Sequence, residues 1–174
     1  CRKGRTDRKK HGHPGDTPMG KVVEKRSEDP AGLNLAEVSF PCSIESLSLV
    51  KNFVEAQTND LGLSENERYK LVSAVDEAAT NAVNHGSNEN PTMEFTIGIG
   101  RTRDSLVITV TDFGGKMFDP QYFEDICQSK SWGIVGGRGI FMMTNTMDEV
   151  MYLFNGGRST TVCLVKYLTA PEQK

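Results

Sequence analysis

Hydrophobic positions along the chain change their period several times, and each change marks an element. In "AEVSFPC" (36–42) apolar and polar residues mix as in an edge strand, with Pro41 near its end. "SIESLSLVKNFVEAQTNDLGL" then spaces Ile44, Leu47, Val50 and Val54 along one face of a helix, with Ser43 as its N-cap. "SENERYKLVSAVDEAATNAVNHG" opens with Ser64 and Glu67 in a capping-box pattern and predicts one long helix ending at Gly86. The period next falls to two. Phe95, Ile97 and Ile99 alternate in "TMEFTIGIG", and Leu106, Ile108 and Val110 alternate in "SLVITVTD", with "GRTRD" suited to a hairpin between them. Residues 113–137 show weak periodicity. "RGIFMMTNTMDEV" returns to helical spacing, and "EVMYLF" and "STTVCLVKY" read as a second hairpin around "NGGR". There is no internal repeat. The order strand, two helices, hairpin, loop, helix, hairpin predicts an α+β fold. It is expected to be a two-layer α/β sandwich with a mixed, mainly antiparallel sheet and helices on one face.

The long helix raises a question of its own. At about 100° per residue, Asn81, Asn84 and Asn88 fall within ~40° of Glu77, and His85 within ~80°. Leu71, Val72, Val75, Ala79, Ala82 and Val83 lie on the other side. A solvated face is the ordinary explanation of such a stripe. This one, however, holds amides rather than Lys and Arg, and Asn is a poor helix former. A carboxylate one turn from a carboxamide suits a metal–phosphate site. The amide oxygen can ligate Mg²⁺ while the carboxylate accepts a proton from a nucleophile.

Two further clusters stand out. Asp112 ends "SLVITVTD" in phase with its apolar face, where an unpartnered carboxylate is costly. It is either a turn-forming Asp ahead of "FGG" or an acceptor for a ligand donor such as the exocyclic amine of adenine. "WGIVGGRGIFMM" places Gly133, Gly136, Gly137 and Gly139 ahead of a helix, where bare backbone N–H groups can approach phosphate oxygens. It matches neither a P-loop nor a strand-led dinucleotide fingerprint, and a flexible loop accounts for it equally well.

Composition narrows the class. The 174 residues suffice for one domain with a proper core, and 37% are hydrophobic. No apolar run reaches the ~18 residues of a membrane span, and no secretory signal pattern is evident. Cys1, Cys42, Cys127 and Cys163 form no CxxC pair, so neither a zinc site nor a disulfide framework is expected, and a reducing cytosol is. Residues 1–30 carry 9 Lys/Arg against 5 Asp/Glu (+4), and the remainder 11 against 18 (−7). An acidic body is a poor nucleic-acid binder. Residues 1–33 are expected to be a disordered basic tail, an expression remnant or an upstream segment, with Met19 a candidate natural start.

Together, "EAATNAVNHG", "DFGG", "GGRGIFMMTNTMDEV" and "STTVCL" resemble the ordered N, G1, G2 and terminal-Thr motifs of the GHKL ATPase superfamily, the Bergerat nucleotide-binding fold. Within it, the short form and "GRGIFMMTNTMDEV" are most similar to the bacterial anti-sigma factor serine kinases. The resemblance spans roughly residues 36–168, inside an expected kinase domain at 34–170. It implies Glu77 as general base and Asn81 as Mg²⁺ ligand, with Asn84 and His85 in the same box. It implies that Asp112 receives adenine N6, that Gly114 lets the base approach, and that residues 116–136 form the ATP lid. Gly137 and Gly139 would face the phosphates, and Thr160 would support Asp112 through water. Ser159 stands where the family usually has Gly, so the motif leaves Thr160 and Thr161 as alternatives. The lid end "SWGIV" has no basic residue, and Arg138 or Lys130 would take that place near the γ-phosphate.

The activity implied is that of a cytoplasmic protein-serine kinase. It would bind ATP with Mg²⁺, phosphorylate an antagonist protein and sequester a sigma factor, with a homodimer implied as well. Rivals are a non-catalytic ATP-binding module, a switch kinase acting on a scaffold, and the catalytic part of a histidine kinase. The last is disfavoured because no dimerisation helix with a phospho-acceptor His precedes the domain. His85 is the only His of the body, and His11 and His13 lie in the tail.

Overall fold

A computed structural model describes residues 35–87, 90–114 and 137–168. The expected tail, the ATP lid and Asn88 lie outside these residues. Strand β1 (Leu35–Pro41) leads into helix α1 (Ile44–Thr58) and helix α2 (Glu65–Asn81), which continues as a π-helical turn (Ala82–Gly86). Strands β2 (Glu94–Arg101) and β3 (Ser105–Asp112) follow, then helix α3 (Gly137–Thr146) and strands β4 (Glu149–Phe154) and β5 (Thr160–Tyr167). The strands form one sheet in the order β1-β2-β3-β5-β4. All four pairings are antiparallel. The expected two-layer α+β architecture is present, and its sheet, among the described residues, is antiparallel throughout rather than mixed. Strand direction between segments far apart in the chain is set by packing, which local patterning does not encode.

The core lies between one sheet face and the helices. Phe95, Ile97, Leu106, Ile108, Val110 and Leu164 point from the sheet towards Val50 and Val54 of α1, Leu71, Val75 and Ala78 of α2, and Met143 of α3, all buried. Small residues on α2 let the helix lie close to the sheet, since Ala78 and Ala79 add little bulk. At the β1 edge, Phe40 stacks on Phe95 with ring centroids 5.8 Å apart. The β4–β5 hairpin closes through Gly156 and Gly157 at φ 53° and 74°, the left-handed region that favours glycine. Asp148 pins the α3–β4 junction to β5, accepting from Lys166 Nζ at 2.9 Å and from the Tyr167 N–H at 2.6 Å.

The two expected N-caps differ. Ser64 and Glu67 form the full capping box: the Glu67 N–H donates to Ser64 Oγ at 3.3 Å, and the Ser64 N–H donates to Glu67 Oε2 at 2.9 Å. Ser43 occupies the N-cap of α1 without a side-chain bond to the helix backbone, its hydroxyl meeting Ser46 Oγ instead. Ser64→Ala is therefore expected to lower unfolding stability by about 1 kcal/mol. Ser43→Ala should change it by less than about 0.5 kcal/mol. Urea unfolding of the two variants checks this, and equal losses would contradict the geometry.

Candidate functional site

The sheet register determines what lies beside Asp112. Phe95 pairs with Asp112, Asp112 with Thr160, and Thr160 with Phe154, so one row crosses four strands at the same end of the sheet. Alternation puts this row on the helix-covered face, in phase with buried Leu106, Ile108 and Val110. Thr161 is one residue on and faces the other way, where its Oγ1 lies 2.8 Å from Thr111 Oγ1. The register thus separates Thr160, on the face of Asp112, from Thr161.

Asp112 is half-buried, and burial pushes its carboxyl above the usual range, with the Gly114 N–H pulling back. That N–H donates to Oδ1 at 3.1 Å, so Asp112 does make the local turn contact of the simpler explanation. Among the described residues nothing donates to its other oxygen. An acceptor oxygen left over on an apolar face matches the donor of a ligand.

The π-helical turn brings the end of the long helix to the same place. The Ser87 N–H bonds the Ala82 carbonyl at 3.1 Å, five residues back, and widens the helix there. The straight-helix phase therefore holds only as far as Asn81. Glu77 and Asn81 stay one turn apart and partly buried, whereas Asn84 and His85 lie exposed on the wider turn. Gly86, which the pattern reads only as a helix end, closes against Asp112. A Cβ at Gly86 would come within 2.6 Å of Asp112 Cγ, and one at Gly114 would overlap the Gly86 carbonyl. Two bare backbones thus interlock around the carboxylate.

Glu77 marks the other end of the site. Burial, and then the neighbouring Asp76 charge, push its carboxyl up, while His85 pulls it down, which puts His85 within electrostatic reach. Gly139, in the first turn of α3, is buried against the Glu77 side chain, where a Cβ would overlap the carboxylate. Gly137 also lies in that turn, and Arg138 follows it. The fold therefore gathers the predicted residues from α2, the π-helical turn, the end of β3, β5 and the start of α3.

Sequence reasoning missed two neighbours. Ser87 is buried with its hydroxyl donating to the Val83 carbonyl at 2.8 Å. The buried thiol of Cys42 lies close to Ser87 and Asp112, and burial pushes its pKa up. Only their nearness in the fold reveals them. No group of three His, Cys, Asp or Glu able to hold a metal occurs among the described residues. A cation here would rest on the Asn81 amide oxygen together with a ligand's own oxygens, a hard-donor set that fits Mg²⁺.

A half-buried acceptor at the sheet end, a carboxylate and carboxamide one turn apart, and a glycine-led helix are the groups the fold offers a ligand here. A family model, the histidine kinase-like ATPase domain, matches residues 40–166. The chain belongs to that family, and ATP use comes with it. Among its relatives is the serine-protein kinase RsbW of Bacillus velezensis, 30% identical over 137 residues, covering 76% of this chain and 84% of that protein. The RsbW of Bacillus subtilis matches to the same extent, 30% over 137 residues with 76% and 84% covered. The anti-sigma F factor of Bacillus cytotoxicus is 28% identical over 137 residues, with 78% of this chain and 94% of that protein covered. A crystal structure of the RsbU and RsbW domains of Rv1364c from Mycobacterium tuberculosis shares the fold at a TM-score of 0.57 and 17% identity. It covers 79% of this chain, which spans 32% of that longer one.

Asp112→Asn is expected to weaken ATP binding about 5- to 150-fold, because the amide can present a donor to adenine's own donor. Titration calorimetry giving equal affinities would remove Asp112 from adenine recognition. The same variant should stabilise the ligand-free protein near neutral pH. The carboxyl of Asp112 is raised in the fold, so the fold favours its neutral form, and the wild type loses stability as pH rises from the unfolded pKa through the folded one. The advantage of the Asp112→Asn variant over the wild type in thermal melts should therefore shrink as pH is lowered towards the unfolded carboxylate pKa, about 4, and level off below it.

Proposed function

We propose that this chain is an anti-sigma factor with protein-serine kinase activity. It binds Mg·ATP, phosphorylates a serine on an antagonist protein and holds a sigma factor when the antagonist has left. The observation that carries the reading is a pair of close glycine approaches to carboxylates: Gly86 against Asp112, with Gly114 against the Gly86 carbonyl, and Gly139 against Glu77. The names of its relatives, serine-protein kinase and anti-sigma F factor, point the same way.

Each residue has a task in this reading. The free oxygen of Asp112 accepts from the adenine amine, and Thr160, on the same face, supports it through water. Gly114 lets the base approach. Asn81 holds Mg²⁺, which supplies charge neutralisation at the triphosphate, while Asn84 and His85 edge the same box. Gly137 and Arg138 meet the phosphates from the start of α3. Glu77, its carboxyl raised by burial and by Asp76, takes the proton of the serine hydroxyl. The serine oxygen forms the bond to the γ-phosphorus, and the bond from that phosphorus to the β–γ bridging oxygen breaks. ADP leaves with those electrons.

Release follows from charge. The new phosphate adds about 1.5–2 negative charges to the antagonist. They face a body with 11 Lys/Arg against 18 Asp/Glu beyond residue 30 (−7), and the complex weakens. The domain extends over residues 34–170 behind a basic tail at 1–33, and a homodimer is the form that takes part in the exchange. Cytoplasmic residence suits the sigma factor partner and the free, buried Cys42 and Cys163. Among the described residues no helix is long and apolar enough to cross a membrane.

Glu77→Gln should leave Mg·ATP affinity within a few-fold and lower phosphoserine formation by ~10²–10⁴. Asn81→Ala should instead lose the Mg²⁺-dependent part of ATP binding. The assay mixes the chain with small antagonist proteins of the same cell and Mg·ATP and maps phosphoserine. An antagonist that binds but is never phosphorylated, with Glu77→Gln holding sigma as the wild type does, would make the chain a pure binding module.

A further inference from the structure

A glycine at the start of a helix in a nucleotide site is ordinarily there for the phosphates. Gly139 has different neighbours. Its backbone lies against the Glu77 side chain, and the atoms a Cβ would overlap are Cγ, Cδ and Oε1 of that residue. They belong to the whole distal half of the side chain, so no small rotation of the carboxylate alone makes room. Gly139 is itself buried, and α3 is held in place by Ile140 and Met143 in the core, with buried Met147 just beyond its end, so the helix cannot simply back away. Glu77 in turn leans on a helix N-terminus, whose first N–H groups lack intrahelical partners and favour nearby negative charge. No described residue donates a hydrogen bond to the Glu77 carboxylate. The surface that Gly139 offers is therefore what limits where that carboxylate can sit.

We propose that Gly139 is a positioning residue for Glu77, its bare Cα forming the seat that holds the carboxylate towards the incoming hydroxyl. This rests on Glu77 acting as the base. With alanine at 139 the glutamate must adopt another rotamer. A flexible surface-reaching side chain can do so at little cost, and alanine is a better helix former than glycine. The fold and the adenine end of the site, held by Asp112, Gly86 and Gly114, are left alone. The loss falls on proton transfer, where a displacement of about 1 Å costs ~10²-fold.

The test is a double-mutant cycle in the full chain with Mg·ATP and the antagonist that it phosphorylates. Gly139→Ala should lower kcat for phosphoserine formation by ~10² while Mg·ATP affinity by calorimetry stays within about 3-fold. In a Glu77→Gln background, where no base remains to be positioned, adding Gly139→Ala should change the residual rate by less than about 3-fold. If the two losses multiply, or if ATP affinity falls along with the rate, Gly139 serves the phosphates and the proposal is overturned. A crystal structure of Gly139→Ala tests the contact apart from any transfer. A displaced Glu77 carboxylate supports the seat, and an unmoved one overturns it. A wild-type chain that phosphorylates nothing would defeat the kinase reading, and the crystal structure would still decide whether Gly139 sets the position of Glu77.

Discussion

A carboxylate on the apolar face of a sheet constrains everything placed around it. Asp112 continues the line of Leu106, Ile108 and Val110, and burial already works against its charge. Such a group survives in a fold only if something polar reaches it and nothing apolar seals it. Both conditions are met by glycines. Gly114 supplies an N–H to one oxygen, and Gly86 brings a backbone where any side chain would collide with the carboxylate. The π-helical turn is the means by which Gly86 arrives there. The extra residue per turn shifts the end of the long helix towards β3, a local departure from α geometry that recurs at functional sites.

Glu77 obeys the same rule at the other end. It too is partly buried, lies beside a like charge at Asp76, and is approached by a glycine, Gly139. Two acids whose pKa values burial raises make the ligand-free protein less stable near neutral pH than it would be with amides in their place. A base that stayed comfortable as a solvated carboxylate would be a weaker base. An adenine acceptor satisfied by protein donors would have nothing left for adenine. On the roles proposed for Glu77 and Asp112, the site is thus costly for the reason that makes it useful.

What could be read from the chain was whatever depends on near neighbours. The capping box at Ser64 and Glu67, both hairpins and the apolar stripe of α2 rest on contacts a few residues apart, and all are present. The antiparallel direction of the pair β3–β5 was not legible, because those strands meet across the whole α3 segment and no local pattern sets that direction. The wheel that grouped Asn84 with Glu77 assumed a constant period, and the π-helical turn broke it. Thr160 and Thr161 are indistinguishable as letters. A register decides between them, since a shift of one residue exchanges the two faces of a strand. The contact of Gly139 with Glu77 was not legible, because it joins two helices far apart in sequence.

The candidate site is assembled from segments distant in the chain. Its groups come from the end of α2, the end of β3, the start of α3 and the start of β5, four segments that meet only at one end of the sheet. In the proposed reading, a nucleotide seated there touches all of them. It contributes binding energy to contacts between segments that the empty chain holds together through glycine approaches and a few hydrogen bonds. On that reading, occupancy by ATP would bear on the relative positions of α2, α3 and the sheet, and on any surface spanning those elements. A partner docked across that end of the sandwich would read nucleotide state directly, through differential contact with the two states.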